Sequence, residues 1–295
     1  MTRHAGHLKA GLRGLAPPLL LQAYRRLRYP IVASDQVHEA ENFRAHELLN
    51  RESGPNEIVL REGIKLTVGP ESRRTFEYFC FRSDEMVEEM NSFLRLAANK
   101  RKFLDVGALH GVFSLTFTYR RPEAEAVAVE PFPTAVAHLL YGLHKNPSCR
   151  VRVREVALSD KKGFIRMSLG SIHYIPSVGP LAPGRRTIEM ESVTGDELCA
   201  EERFSPDLIK IDIEGHECEC LLGLSDVLAR CRSVVLIEIH PAMLTAAGRT
   251  TADVVALARN SHYLFYDLHG RKVTDKRVCE CEIVRRFVMQ PEEAA

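Results

Sequence analysis

The stretch FLDVGALHGVFSL, from Phe103 to Leu115, reads as a strand, a tight turn and the start of a helix. Phe103 and Leu104 close an apolar run, Asp105 to Gly111 carries the glycines of a turn, and Val112, Phe113 and Leu115 open a helical pattern. In a parallel α/β sheet, ligands sit outside the carboxyl ends of the strands, and the first such turn holds a nucleotide-like group against a helix N-terminus. The spacing here is Asp105-x-Gly107-x-x-x-Gly111, not the G-x-G-x-x-G of a pyrophosphate cradle. Gly107 lets backbone approach a ligand closely, while an acidic strand end repels phosphate and suits an amine or a sulfonium. The turn therefore favours S-adenosylmethionine (SAM) over a dinucleotide.

Working downstream, strands read at Phe103–Val106, Ala126–Val129, Val151–Val156, Leu208–Ile213 and Val234–Ile239, with helices between most of them. That alternation predicts an α/β fold with a doubly wound, mostly parallel sheet and right-handed crossovers. The segment Gly163–Val193 breaks the pattern with scattered glycines and prolines, and is expected to be a hairpin excursion or a substrate-facing loop in which His173 and Tyr174 are candidate contacts. The tail reads as a helix over Thr251–Arg259 and two strands, Tyr263–Leu268 and Val278–Met289, which would be antiparallel neighbours.

Upstream, Ser83 is a natural N-cap for a helix to Ala98 whose apolar face is Met86, Met90, Phe93, Leu94 and Ala97. Arg61-Glu62-Gly63 sits between two short apolar runs as a hairpin turn, and the aromatics of Thr75–Phe81 suggest a further strand. The expected organisation is a basic helical segment at residues 1–30, a small β-rich cap with a lead-in helix at 31–100, and a catalytic domain at 101–290.

The net charge of +1 gives no pull toward nucleic acid, and 45% apolar content over 295 residues is enough for a full core. Eight cysteines scattered through so long a chain read as reduced thiols of a cytoplasmic enzyme. At the N-terminus, Arg3, Lys9 and Arg13 precede an apolar run, Leu15–Ala23, that contains Pro17-Pro18 and is too short to span a bilayer. It is expected to dock as an exposed helix, or to rest on a membrane surface as a basic amphipathic one. A homo-oligomer is compatible with the composition.

Asp105 and Glu130 each end a strand, and in a doubly wound sheet the acidic residue after the second strand accepts the ribose hydroxyls. Pro131 and Pro133 turn the chain there, so Glu130 cannot be buried in a continuing strand. Ala157, after the third strand, would lie near adenine. On the fourth strand, Lys210, Asp212 and Glu214 alternate where a central strand should be apolar, so that face must meet partners or a polar cleft. The fifth strand ends in Glu238-Ile239-His240, and a histidine near its reference pKa suits removal of a hydroxyl proton. Cys218/Cys220 and Cys279/Cys281 lack zinc spacing, the first pair on an expected helix and the second on an expected strand, so no metal is assigned.

The sequence resembles the FkbM-type methyltransferases, a branch of the class I SAM-dependent enzymes, over about Phe103 to Val288. Asp105-Val106-Gly107-Ala108 with Gly111 resembles the family's SAM loop, and Glu130-Pro131-x-Pro133 its ribose turn. Ile209-Lys210-Ile211-Asp212-Ile213-Glu214-Gly215-His216-Glu217 is similar to its hallmark fourth strand, and Glu238-x-His240 to the end of its fifth. The resemblance implies a seven-stranded Rossmann-like sheet, SAM as donor, and O-methylation of a saccharide or natural-product hydroxyl. It departs at Leu109, where the family typically carries asparagine, and at His110, which either faces the ligand or caps the helix. Asp105, Gly107, Ala108, Gly111, Glu130, Pro131, Ala157 and Asp212 are thus the expected cofactor-binding residues, and Asp212, Glu214, Glu238 and His240 the expected catalytic ones. The rival readings are a catalytically idle SAM-binding interaction protein and an NAD-dependent oxidoreductase, the latter disfavoured by the missing glycine fingerprint.

Overall fold

In the computed structural model, residues 56–60, 63–168, 177–178 and 187–292 are described. The expected helix at 1–30, Arg61-Glu62, His173 and Tyr174 lie outside them. Strands β1 (Asn56–Val59) and β2 (Lys65–Val68) pair antiparallel and bury Ile58, Leu66 and Val68. The next element is a helix, α1 (Pro70–Phe81), where the aromatic run Thr75–Phe81 had suggested a strand. Pro70 presets the first helical φ, Arg73 pairs with Glu77 one turn on at 2.8 Å, and Ser72, Phe76 and Cys80 recur every fourth residue on the buried face. The aromatics belong to a helical stripe, so the cap, among the described residues, is one strand pair with a helix ahead of the lead-in helix. Helix α2 (Asp84–Ala97) follows, the Ser83 hydroxyl accepting the Met86 N–H at 3.3 Å as expected.

The main sheet is laid down by β3 (Lys102–Val106), α3 (Val112–Thr118), β4 (Glu125–Val129), α4 (Pro133–Lys145) and β5 (Val151–Arg154). A second, four-stranded sheet interrupts it, made of β6 (Ala157–Leu158), β7 (Gly163–Ser168), β8 (Ser177–Val178) and β9 (Thr187–Val193). The irregular segment is therefore a hairpin, β7 against β9, in register from Gly163↔Ser192 to Ser168↔Thr187. The chain returns through α5 (Gly195–Glu202), β10 (Leu208–Ile211), α6 (Glu217–Gly223), α7 (Ser225–Cys231) and β11 (Val234–Ile239). It closes with α8 (Pro241–Ala246), α9 (Thr251–Asn260), β12 (Tyr263–Tyr266), β13 (Lys272–Val273), α10 (Asp275–Cys279) and β14 (Arg285–Pro291).

The sheet order is β13-β12-β14-β11-β10-β3-β4-β5. The seven strands from β12 to β5 are the Rossmann-like arrangement, with β14 the antiparallel insertion between β11 and β12, and β13 a two-residue edge addition. The expected strand Val278–Met289 splits: Thr274 caps the short helix α10, and only the second part pairs in the sheet. Cys279 thus ends a helix, and its sulfur is not aligned with that of Cys281 along a strand. The pleat sorts the core into two layers: Phe103, Leu208 and Leu236 face Phe93 and Phe117, while Leu104, Ile209 and Ile237 face the side of Leu221 and Val254.

On the first of those faces, Lys210 and Arg286 replace apolar residues, and Glu89 of α2 lies over both, 3.5 Å from Lys210 Nζ and 2.7 Å from Arg286 Nε. Lys210 also reaches Asp212 at 2.8 Å, and Arg286 reaches Glu238 at 2.7 Å. All but Asp212 are below one-tenth exposed, so each charge depends on its partners for solvation. Glu89→Ala strips a partner from both cations and is expected to destabilise the fold by about 3–5 kcal/mol, read by urea unfolding.

Candidate active site

Chain connections leave β3 and β10 toward opposite edges of the sheet, so a crevice opens over their carboxyl ends. Its cavity volume is about 100 Å³. Gly107 lines it at φ +82°, and a Cβ there would run into the Asp212 carbonyl oxygen, so the two strand ends meet only because residue 107 is glycine. The Asp105 side chain turns inward, accepting the Ser114 N–H at 3.1 Å and its hydroxyl at 2.6 Å, and so caps the first turn of α3. Burial pushes its carboxyl up to about 6 against those hydrogen bonds. Asp105, Ala108 and Gly111 shape the turn; Gly107 and Leu109 face the cleft. His110 takes neither expected role: it stacks on His138 at 4.4 Å, with Nδ1 3.0 Å from the Thr75 hydroxyl, tying α1 to the turn.

Glu130, Pro131 and Ala157 line the cleft as a group. Glu130 accepts the Leu109 N–H at 2.9 Å and the Phe132 N–H at 2.8 Å, one on each oxygen, which leaves a lone pair on each for a ligand hydroxyl. Burial pushes its carboxyl up to about 7. Phe79 of α1, Ile165 and Met167 of β7, and His216 also line the cleft, and sequence reasoning named none of them for that role. Phe79 was hidden by the strand assignment, and the β7 residues by a hairpin whose direction only its packing sets.

The charged end of β10 meets the end of β11. Glu214 has φ +54° and lines the cleft with Asp212. Behind them, His240 Nε2 lies 3.6 Å from Glu214, 3.7 Å from Glu238 and 3.9 Å from Asp212, while Nδ1 is 2.7 Å from Glu217. The structure thus brings together all four expected catalytic residues and adds Glu217, which the sequence reading quoted within a motif but gave no role. Burial lowers the His240 pKa, but the Glu217 hydrogen bond and the charges of Asp212 and Glu214 outweigh it and set it at about 9, not near the reference value expected from sequence, because carboxylates surround the ring. Burial pushes Asp212 up, yet Lys210 and His240 overcome that and leave it below the usual range. Burial and Asp212 push Glu238 up against the pull of Arg286. The ligand atoms of Asp212, Glu238 and His240 lie within 4.8 Å of one another, as a metal site would need, but Lys210 and Arg286 already bind the two carboxylates. Among the described residues, no helix is long and apolar enough to cross a membrane.

A sequence model of the methyltransferase FkbM domain matches residues 105–265. The hexuronic acid methyltransferase AglP of Haloferax volcanii is 26% identical over 161 residues, which span 52% of this chain and 64% of that relative, less than two thirds of its length. Among solved structures, the methyltransferase FkbM from Methylobacillus flagellatus KT aligns at 15% identity over 75% of this chain and 59% of that one, with a TM-score of 0.41. The N-terminal domain of EvdMO1, solved with S-adenosylhomocysteine (SAH) and D-fucose, aligns at 13% over 86% of this chain and 97% of that one, TM-score 0.42.

Leu109 holds φ +48°, a left-handed conformation that asparagine adopts more readily than leucine. Leu109→Asn is expected to raise stability by about 1 kcal/mol in urea unfolding. The folded-state pKa values of Asp105, Glu130 and His240, about 6, about 7 and about 9, all exceed their ordinary values of 3.8, 4.5 and 6.5. The folded protein therefore keeps protons that the unfolded chain has lost, and the stability they contribute is full below the ordinary values and lost as pH rises through the raised ones. Ligand-free protein should unfold at lower urea at pH 9.5 than at pH 6 (about 3.5 pH units apart), and His240→Gln should flatten the part between 6.5 and about 9.

Proposed function

Since the chain belongs to the FkbM methyltransferase family, we propose that it moves the methyl group of SAM to a hydroxyl of a saccharide or natural-product acceptor. The observation that carries this reading is the convergence of two half-sites on one cleft: the Gly107 turn with Glu130, and Asp212 with Glu214 in front of His240. The residues present suit the donor. Gly107 presents bare backbone at the cleft wall, Glu130 keeps a free lone pair on each oxygen for the ribose hydroxyls, and Pro131 and Ala157 wall the adenine side. Asp212 and Glu214 give the cleft the negative charge that suits a sulfonium.

Bound SAM supplies a methyl group already activated by positive sulfur. The chain's part is to bind, align and accept a proton: Glu214 orients the acceptor hydroxyl at the cleft wall, and His240 takes its proton. Asp212 and Glu214 at the cleft disfavour a dinucleotide pyrophosphate, which counts against the oxidoreductase reading. The relative named for hexuronic acid methylation supports a saccharide as the acceptor class.

Calorimetric titration is expected to give binding of both SAM and SAH, with Glu130→Gln weakening each by roughly 10-fold or more. No binding of either would overturn the proposal. Label from methyl-labelled SAM should pass to a member of a panel of hexuronic acids and neutral hexoses, and His240→Gln should abolish transfer while SAH affinity stays within about threefold. Transfer unchanged in that variant would remove His240 from the chemistry.

A further inference from the structure

We propose that Glu217 is the positioning residue of the reaction, holding His240 so that its Nε2 atom receives the acceptor's proton; this rests on the methyl-transfer reading above. Glu217 is completely buried at the start of α6. Its Oε1 accepts the Gly215 N–H at 3.1 Å and stands 2.7 Å from His240 Nδ1. The first contact fixes the carboxylate and the second fixes the ring. A carboxylate can only accept, so Nδ1 carries the hydrogen and Nε2 is left for proton chemistry. This is the division of labour in which an acidic residue sets the tautomer of a histidine base without itself being protonated.

The surroundings of Nε2 fit that role. Asp212, Glu214 and Glu238 lie 3.9, 3.6 and 3.7 Å away, beyond hydrogen-bonding length, so none of them claims the atom. Lys210 holds Asp212 and Arg286 holds Glu238, and Glu89 joins the two cations from α2. Four carboxylates thus face two fixed cations, and the cage favours added positive charge. In the free protein the imidazolium supplies it. When the donor's sulfonium faces the same carboxylates, the two cations compete and the ring gives up its extra proton. During transfer Nε2 takes the hydroxyl proton as the acceptor's O–H bond gives way to an O–C bond, and the C–S bond breaks with its electron pair going to sulfur. The positive charge therefore leaves sulfur and returns to the imidazolium inside one cage, which Glu217 keeps aligned.

The test is nitrogen NMR of the full chain labelled with ¹⁵N-histidine, with His240→Gln assigning the signal, with and without SAH. Neutral His240 is expected as the Nδ1–H tautomer. Glu217→Gln should mix the tautomers and lower the His240 titration by about one pH unit or more, with Glu217→Asp in between and SAH affinity within about threefold throughout. On the hexuronic acid or hexose that accepts label, Glu217→Gln should lower kcat by about 10–100-fold with KM nearly unchanged. An Nε2–H tautomer in the parent protein, or a titration unmoved by Glu217→Gln, overturns the proposal. So does Mn²⁺ broadening of the His240 signal together with transfer lost on chelation, because Nε2 would then be a metal ligand. Failure of SAH to bind with the tautomer as expected overturns the donor assignment and leaves the Glu217–His240 couple standing.

Discussion

The cleft depends on a buried ionic ring. Glu89 holds Lys210 and Arg286; these in turn hold Asp212 and Glu238, and both carboxylates flank His240. Charges taken out of water are tolerable only in such closed sets, because each unpaired member carries a penalty of several kcal/mol. The ring therefore does two jobs at once: it fixes the ends of β10 and β11 relative to each other, and it sets the potential in which His240 titrates. It also makes the lead-in helix part of the site, since Glu89 reaches the sheet from α2.

The donor side is built differently, from backbone rather than charge. Gly107 lets β3 end against the Asp212 carbonyl, and Asp105 spends its carboxylate on the first turn of α3. Glu130 is held by two N–H groups from the turn and from its own strand end. Leu109, left-handed and donating to Glu130, carries strain in a residue type that resists it. A donor half that is rigid through its backbone thus faces an acceptor half whose geometry is electrostatic.

Much of this was legible in the residues themselves. The strand–turn–helix of Phe103–Leu115, the strand-ending Glu130 and the charged alternation on Lys210–Glu214 follow from local periodicity and from the rarity of charge in a central strand. Glu89 had a readable signal too, since it interrupts the apolar stripe of Met86, Met90 and Phe93. Local reading failed where two periods compete. The aromatics from Thr75 to Phe81 satisfy a strand pattern when taken alone, and Pro70 with the four-residue recurrence of Ser72, Phe76 and Cys80 decides for a helix.

By itself, then, the sequence determined the strand–helix alternation of the central domain, the parallel sheet and which strand ends bear carboxylates, because periodicity and turn chemistry act over a few neighbouring residues. Tertiary structure alone decided that Asp105 turns inward while Glu130 faces the cleft, that Phe79 and Met167 wall it, and that Glu217 stands behind His240. Those choices turn on contacts between residues far apart in the chain, whose distances, and so whose charge states, exist only once the sheet has closed around them.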